Sequence, residues 1–269
     1  MKKIIKNIAK SKFSLGEGLY INEDIIYWVD INKKKLAIYR DKNLKILDLE
    51  FTPSLIYKAN SENIYIASDE GLIKKSLVNN FEENILTSPL NSEIYRSNDG
   101  GYLDRNLILG FMHKNDPINK KGFIYLISRK KYILIDDQIN IPNSFIEIGN
   151  NKILISDSLS KDIWLYELSG SGELISKKKW ANTNGDGVPD GGCIINNQIY
   201  IALWDGLGVG VYNMNGKKID IISLPVIRPT NCKYDYKNNL LWITSAREGL
   251  DDIALNLYPL SGNTFSFNL

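Results

Sequence analysis

The sequence has one histidine, two cysteines and no long apolar run, and its charges nearly cancel. Each shortage removes a class of function. With His113 alone, a histidine-rich zinc site is excluded, and a Ser-His-Asp triad has a single residue to draw on. Cys193 and Cys232 form no Cys-x-x-Cys pair, so no disulfide framework is expected and a reducing cytoplasm fits. No stretch approaches the ~20 apolar residues of a membrane span. The basic start Met1-Lys2-Lys3-Ile4-Ile5-Lys6 lacks the apolar stretch of a signal peptide. The formal net charge is +2, and runs such as Lys33-Lys34-Lys35 and Lys177-Lys178-Lys179 fall between strand-like segments. They read as solvated turns, so neither a nucleic acid nor a membrane is expected as partner.

What remains is a globular composition, 43% hydrophobic and 24% charged, in a chain of 269 residues that can bury a sizeable core. Short β-rich runs recur: Ile25–Val29, Ile64–Ala67, Leu107–Gly110, Ile153–Ser156, Ile199–Ala202 and Leu240–Ile243. The step between them is about 40–46 residues, the length of a propeller blade. A turn and a second strand follow most of them, as in Leu36–Tyr39, Gly122–Leu126, Ile163–Tyr166 and Gly208–Tyr212. No stretch shows a helical period. One four-stranded sheet cannot bury both faces alone, but six packed radially can. The expectation is an all-β, six-bladed β-propeller filling 1–269 as one domain. The segment Lys3–Phe13 precedes the first blade and is expected to add an outer strand to the last.

Eight to ten residues before the start of each recurring run stand Glu17, Ser54, Asn98, Asn143, Asp190 and Asn231. Each lies near the start of a blade's first strand, and such positions converge at one mouth of a propeller's central channel. Asp190 opens the stretch Asp190-Gly191-Gly192, where two glycines free the backbone. Glu17, Asn143 and Asp190 together offer two carboxylates and an amide oxygen, a hard set suited to a divalent cation such as Ca²⁺, Mg²⁺ or Mn²⁺. Arg96 lies two residues before Asn98 on the same strand face, placed to bind a substrate oxygen or to neutralise Asp99.

These residues carry a resemblance. Leu15-Gly16-Glu17-Gly18, Tyr27-Trp28-Val29-Asp30, Arg96-Ser97-Asn98-Asp99-Gly100, Pro142-Asn143, Ser156-Asp157-Ser158, Pro189-Asp190-Gly191 and Arg228-Pro229-Thr230 occur in one order along the chain. Together the chain resembles the family of senescence marker protein (regucalcin), gluconolactonases and luciferin-regenerating enzymes. The resemblance implies a six-bladed propeller with one divalent metal in the channel mouth, calcium favoured over Mg, Mn, Zn or Fe. It places the metal ligands on Glu17, Asn143 and Asp190, and the substrate contacts on Arg96 and Asn98. One branch of that family has an acidic substrate contact after Gly-Thr-Met. Here the segment is Gly110-Phe111-Met112-His113-Lys114-Asn115, which puts Asn115 nearest that position. The glycine usual after the asparagine ligand is Ser144.

The expected function is a metal-dependent hydrolase that opens a small sugar lactone, in a monomer or weak dimer. The metal would polarise the carbonyl, Asp190 would also serve as general base toward water, and Arg96 and Asn98 would orient the sugar. The alternatives are another metal-assisted hydrolysis in the same channel, such as of a phosphotriester, or a non-catalytic propeller binding calcium or a partner. The run Asn182-Thr183-Asn184-Gly185-Asp186-Gly187 starts like a helix-flanked calcium loop, but its twelfth position is Cys193 instead of Glu, so a loop over the channel mouth is expected.

Overall fold

In the computed structural model, which describes residues 5–79, 81–183 and 185–269, nearly all regular structure is β. Strand β1 (Ile5–Ala9) comes first, followed by β2 (Gly16–Asn22), β3 (Ile25–Asp30), β4 (Lys35–Arg40) and β5 (Asn43–Asp48). The next group is β6 (Pro53–Ala59), β7 (Asn63–Ser68), β8 (Gly71–Ser76) and β9 (Glu82–Thr87). The third is β10 (Tyr95–Leu103), β11 (Asn106–His113), β12 (Gly122–Ser128) and β13 (Lys131–Ile139). The fourth is β14 (Pro142–Gly149), β15 (Lys152–Asp157), β16 (Asp162–Leu168) and β17 (Leu174–Asn182). The fifth is β18 (Val188–Ile195), β19 (Gln198–Trp204), β20 (Gly208–Asn213) and β21 (Lys218–Ser223). The last contains β22 (Pro229–Asp235), β23 (Leu240–Ser245), a helix α1 (Asp252–Leu257) and β24 (Thr264–Asn268).

Five of the groups are antiparallel sheets in chain order, and the sixth runs β22, β23, β24, β1. The segment before the first blade thus does supply the outer strand of the last one, with Ile5 opposite Phe267 and Ala9 opposite Thr264. Of that segment, Lys3 and Ile4 lie outside the described residues, as does Asn184 in the calcium-loop-like run. Six four-stranded meanders of this kind are the blades of an all-β, six-bladed β-propeller.

Two-residue turns let each strand fold straight back. In Asn150-Asn151 and Asn196-Asn197 both residues have positive φ, between 49° and 60°. That is the left-handed geometry whose twist matches paired strands, and asparagine tolerates it well. Asp41-Lys42, Asp104-Arg105 and Arg129-Lys130 adopt the same geometry without asparagine.

The chain forms two compact units, Met1–Glu50 with Gly185–Leu269, and Phe51–Asn184. Each contains three blades. In the first, Phe13, Leu19, Trp28, Ala37 and Trp242 make one buried cluster, and Val209, Val226, Cys232, Leu241, Ile243 and Phe265 belong to another. In the second, Ile108, Ile124, Phe145, Ile153 and Tyr166 pack together, as do Leu55, Ala67, Leu109 and Phe111. Second strands such as β3 and β15 are buried almost throughout, whereas the outermost β5 and β21 alternate or face solvent. Each aliphatic residue buried there contributes about 1.5–3 kcal/mol, which makes the blade interiors, rather than the polar ends of the first strands, the source of stability.

Helix α1 differs from the helix-free reading of the sequence. It has six residues and is capped by Asp251, whose side chain accepts a hydrogen bond from Ala254 N at 2.8 Å. Fewer than two turns cannot display a 3.6-residue pattern, so only the cap was there to be seen. Among the described residues no helix is long and apolar enough to cross a membrane.

Candidate functional site

The six positions picked out by the repeat all fall in the first half of a blade's first strand: Glu17 on β2, Ser54 on β6, Asn98 on β10, Asn143 on β14, Asp190 on β18 and Asn231 on β22. All six are buried. Each also sits at a break in strand register. The pairing slips between Glu17 and Tyr20, Pro53 and Leu55, Ser97 and Gly100, Asn143 and Ile146, Pro189 and Gly192, and Pro229 and Cys232. A bulge leaves a residue out of the ladder and re-aims its side chain, which is how a polar group is turned out of an apolar blade. The backbone shows the cost. Gly18 and Ser144, which follow Glu17 and Asn143, have φ of 61° and 55°. A serine in that region is disfavoured. Ser144 is fully buried, and its hydroxyl accepts a hydrogen bond from Ser156 Oγ at 3.1 Å. A glycine at position 144 would meet the same backbone demand without strain, which accounts for the glycine expected there from the resemblance.

In the first unit, Glu17 Oε2 accepts from Gly18 N at 3.0 Å and from Asn231 Nδ2 at 3.1 Å. The neighbouring Thr230 hydroxyl donates to Gly16 O, tying β22 to β2 beside Glu17. Asp190 lies on β18, which packs against the other side of β22.

In the second unit, Arg96, Asn98 and Asn143 form one chain of hydrogen bonds. An Arg96 Nη donates to Asn98 Oδ1 at 2.7 Å and to Ser97 O at 3.1 Å. Asn98 Nδ2 donates to Asn143 Oδ1 at 3.0 Å and to Pro142 O at 3.1 Å. Asn143 Nδ2 in turn donates to Ser158 Oγ at 2.9 Å. Every amide is thereby oriented, and Asn143 is held with its oxygen as the acceptor end. Ser54 continues the line, its hydroxyl 2.6 Å from that of Ser97.

Asn115 is exposed, on the loop after β11. His113 ends that strand, and its Nδ1 accepts from Asn115 N at 3.2 Å and Asp116 N at 3.0 Å. Its ring meets Tyr95 edge-on, with centroids 5.3 Å apart. His113 therefore fastens the loop that carries Asn115. Lys114 anchors the same loop from its other side, with Nζ 2.9 Å from Asp69 Oδ2.

A second set of acids escaped the sequence reading as a set. Asp30 accepts from Ser14 N and Leu15 N at 2.8 and 3.2 Å. Asp69 accepts from Thr52 N at 3.1 Å, and Asp157 from Asn140 N and Ile141 N, both at 3.1 Å. Asp30 and Asp157 end a blade's second strand and Asp69 follows one; each holds the chain just before a first strand, so it places the bulge carrying Glu17, Ser54 or Asn143. The recurrence of Asp at the close of the second strand was the available signal.

The donors expected for a divalent cation are all hard oxygens, from Glu17, Asp190 and an Asn143 amide whose nitrogen is already engaged. That composition fits Ca²⁺, Mg²⁺ or Mn²⁺, and the Asn98 bond to Asn143 Oδ1 is the kind of outer support that orients a ligand. Among the described residues no group of three or more His, Cys, Asp or Glu is placed to hold a metal ion. The expected set, two carboxylates and an amide, is not of that composition.

An L-arabinolactonase of Azospirillum brasilense is 32% identical over 117 residues, covering 43% of this chain and 39% of the relative. Human regucalcin is 29% identical over 143 residues, covering 51% of this chain and 46% of the relative. The matches therefore span less than half the length of each of these two relatives. A crystal structure of a calcium-binding protein, regucalcin, from Agrobacterium tumefaciens strain C58 superposes with a TM-score of 0.92 at 24% identity. It covers 99% of this chain and 94% of that one, so the two share the fold. The sequence model of the SMP-30/Gluconolactonase/LRE-like region matches residues 15–247, from Leu15 two residues before Glu17 to beyond β23, and the chain belongs to that family.

Proposed function

We propose that the protein is a divalent-metal-dependent hydrolase that opens the ring of a small sugar lactone. What supports this most is the chain of bonds Arg96–Asn98–Asn143, which joins the two expected substrate contacts to an expected cation ligand. A ligand group and a substrate-holding group that share a hydrogen bond move as one. The family and the lactonase name of one relative support the reaction class. The six blades are read as one working domain.

Glu17, Asn143 and Asp190 would hold the cation, which when bound would supply Lewis-acid stabilisation to the charge growing on the lactone carbonyl oxygen. The remaining work falls to the chain's own side chains. The Asp190 carboxylate accepts a proton from the attacking water and returns it to the departing ring oxygen. Arg96 and Asn98 hold sugar hydroxyls and fix the face presented to attack. Asn115, on its exposed loop, reaches a distal hydroxyl. His113 is given no part in the chemistry, its Nδ1 accepting from two backbone amides of that loop.

The test is acid release from a panel of aldonolactones, with and without EDTA, followed by re-addition of Ca²⁺, Mg²⁺, Mn²⁺ or Zn²⁺. Hydrolysis lost with EDTA and restored by a metal is the expected result. Hydrolysis of a phosphotriester but of no lactone moves the substrate class, and metal binding without any turnover leaves a binding protein.

A further inference from the structure

Asn231 is 1% exposed, and its side chain lies between the two carboxylate-bearing strands of the first unit. On one side its Nδ2 donates to Glu17 Oε2 at 3.1 Å. On the other it presses against the residue after Asp190. A Cβ at Gly191 would stand 2.3 Å from Asn231 Nδ2 and 2.4 Å from its Cγ. Gly191 is not in the left-handed region, so backbone freedom does not explain the glycine. Space for the Asn231 carboxamide does.

Asn231 Oδ1 is buried and accepts no hydrogen bond from the described residues. A buried acceptor without a donor is costly, so such an atom marks a place where a ligand or water completes the bonding. Thr230, one residue earlier, has its hydroxyl engaged with both Gly16 O and Thr244 Oγ1, so the gap belongs to Asn231 alone on this turn of β22.

We propose that Asn231 is a positioning residue for the cation site, fixing the Glu17 carboxylate through Nδ2 and offering Oδ1 to a water within the site. This rests on the metal-dependent reading above. A carboxylate held by an outer amide loses less freedom when it takes up a cation, and removing such a partner typically weakens affinity ~10–100-fold. Gly191 then serves the site indirectly, by leaving room for that amide.

Two substitutions break the same contact from opposite sides. Asn231→Ala deletes the amide, and Gly191→Ala displaces it. The full chain, stripped of metal, is titrated with Ca²⁺ by calorimetry and with Mn²⁺ by electron paramagnetic resonance. Each single variant is expected to bind ~10–100-fold more weakly, with an altered spectrum of bound Mn²⁺. Adding Gly191→Ala to Asn231→Ala is expected to change affinity no further, since the atom it displaces is gone. Metal-free thermal unfolding of Asn231→Ala is expected to stay within a few degrees of the parent, which separates positioning from folding. Parent-like affinity in Asn231→Ala, or fully additive losses in the double variant, overturns the proposal while leaving the metal-dependent reading intact. Failure of the unaltered protein to bind either ion overturns both.

Discussion

The Arg96 guanidinium donates to Asn98 Oδ1 at 2.7 Å, and both sides of the Asn98 amide are thereby in use, since its Nδ2 serves Asn143 Oδ1 and Pro142 O. Two residues read from the sequence as parallel substrate contacts are in fact in series. Asn98 stands between the cationic group and the amide oxygen, so its loss is felt at both ends, whereas loss of Arg96 is felt at one.

Arg96→Lys and Asn98→Ala separate the two effects. Arg96→Lys removes the forked donor and is expected to raise KM about tenfold or more with cation affinity unchanged, because a point charge does not reproduce a planar guanidinium. Asn98→Ala is expected to raise KM and also to weaken cation binding ~10–100-fold. Steady-state kinetics together with a cation titration for each variant give the answer. Identical profiles for the two would mean that Asn98 does not support Asn143.

His113→Ala probes whether the one histidine is a base. Its ring nitrogen caps a loop, so the variant is expected to keep at least about a tenth of turnover, where loss of a positioned general base costs ~10²–10⁴. The pH profile of kcat is expected to keep its shape. A fall of a hundredfold or more at unchanged metal content would move the base to His113.

Asp136 is a buried carboxylate through which stability responds to acid. Burial raises its pKa, but bonds from Lys177 Nζ and Tyr166 OH, both 2.6 Å, and from Gln138 N more than offset this and leave it below the ordinary value of 3.8. A carboxylate with a depressed folded-state pKa stabilises the fold above its unfolded value and ceases to do so as pH falls through the folded one. Asp136→Asn is therefore expected to cost about 1–3 kcal/mol at neutral pH, and the gap in Tm from the parent is expected to narrow below about pH 4. A gap independent of pH would contradict this.

The cysteines offer a check on the first unit. Cys193 is half-buried, while Cys232 is fully buried, and burial together with the adjacent Cys193 thiol pushes its pKa up. Reactivity requires an exposed thiolate. The native protein is expected to take up one maleimide, at Cys193, and the unfolded protein two, as read by intact mass. Rapid native labelling of Cys232 would show that β22 is not packed as described.

Much of this was legible in the sequence because the repeat is carried by hairpins. Asn196-Asn197 between two apolar runs states both a turn and its handedness, and the six entry positions share one phase, so a single register places them all on first strands. What the sequence could not state is distance between residues far apart in the chain. Gly191 read as a source of backbone freedom, yet its backbone is ordinary and its role is to admit the carboxamide of Asn231. The bond from Asn231 to Glu17 joins opposite ends of the chain and has no local signature. The serial order of Arg96, Asn98 and Asn143 is equally invisible, because spacing gives strand and face but not hydrogen-bond partners. Helix α1 is missed for a different reason, its six residues being too few for a period to show.

Turnover of a responsive lactone against metal concentration, for the parent, Glu17→Gln and Asp190→Asn, decides whether Asp190 both binds the cation and takes the proton. Glu17→Gln loses one charge from the cation site but keeps Asp190, so its activity is expected to fall at low metal and recover in part in excess. Asp190→Asn keeps a ligand oxygen and loses the proton acceptor, so it is expected to stay ~10²–10⁴ below the parent, roughly 3–5 kcal/mol in barrier, at any metal concentration. Full rescue of Asp190→Asn by metal would reduce Asp190 to a ligand. Parent-like activity of both variants without added metal would contradict the site altogether.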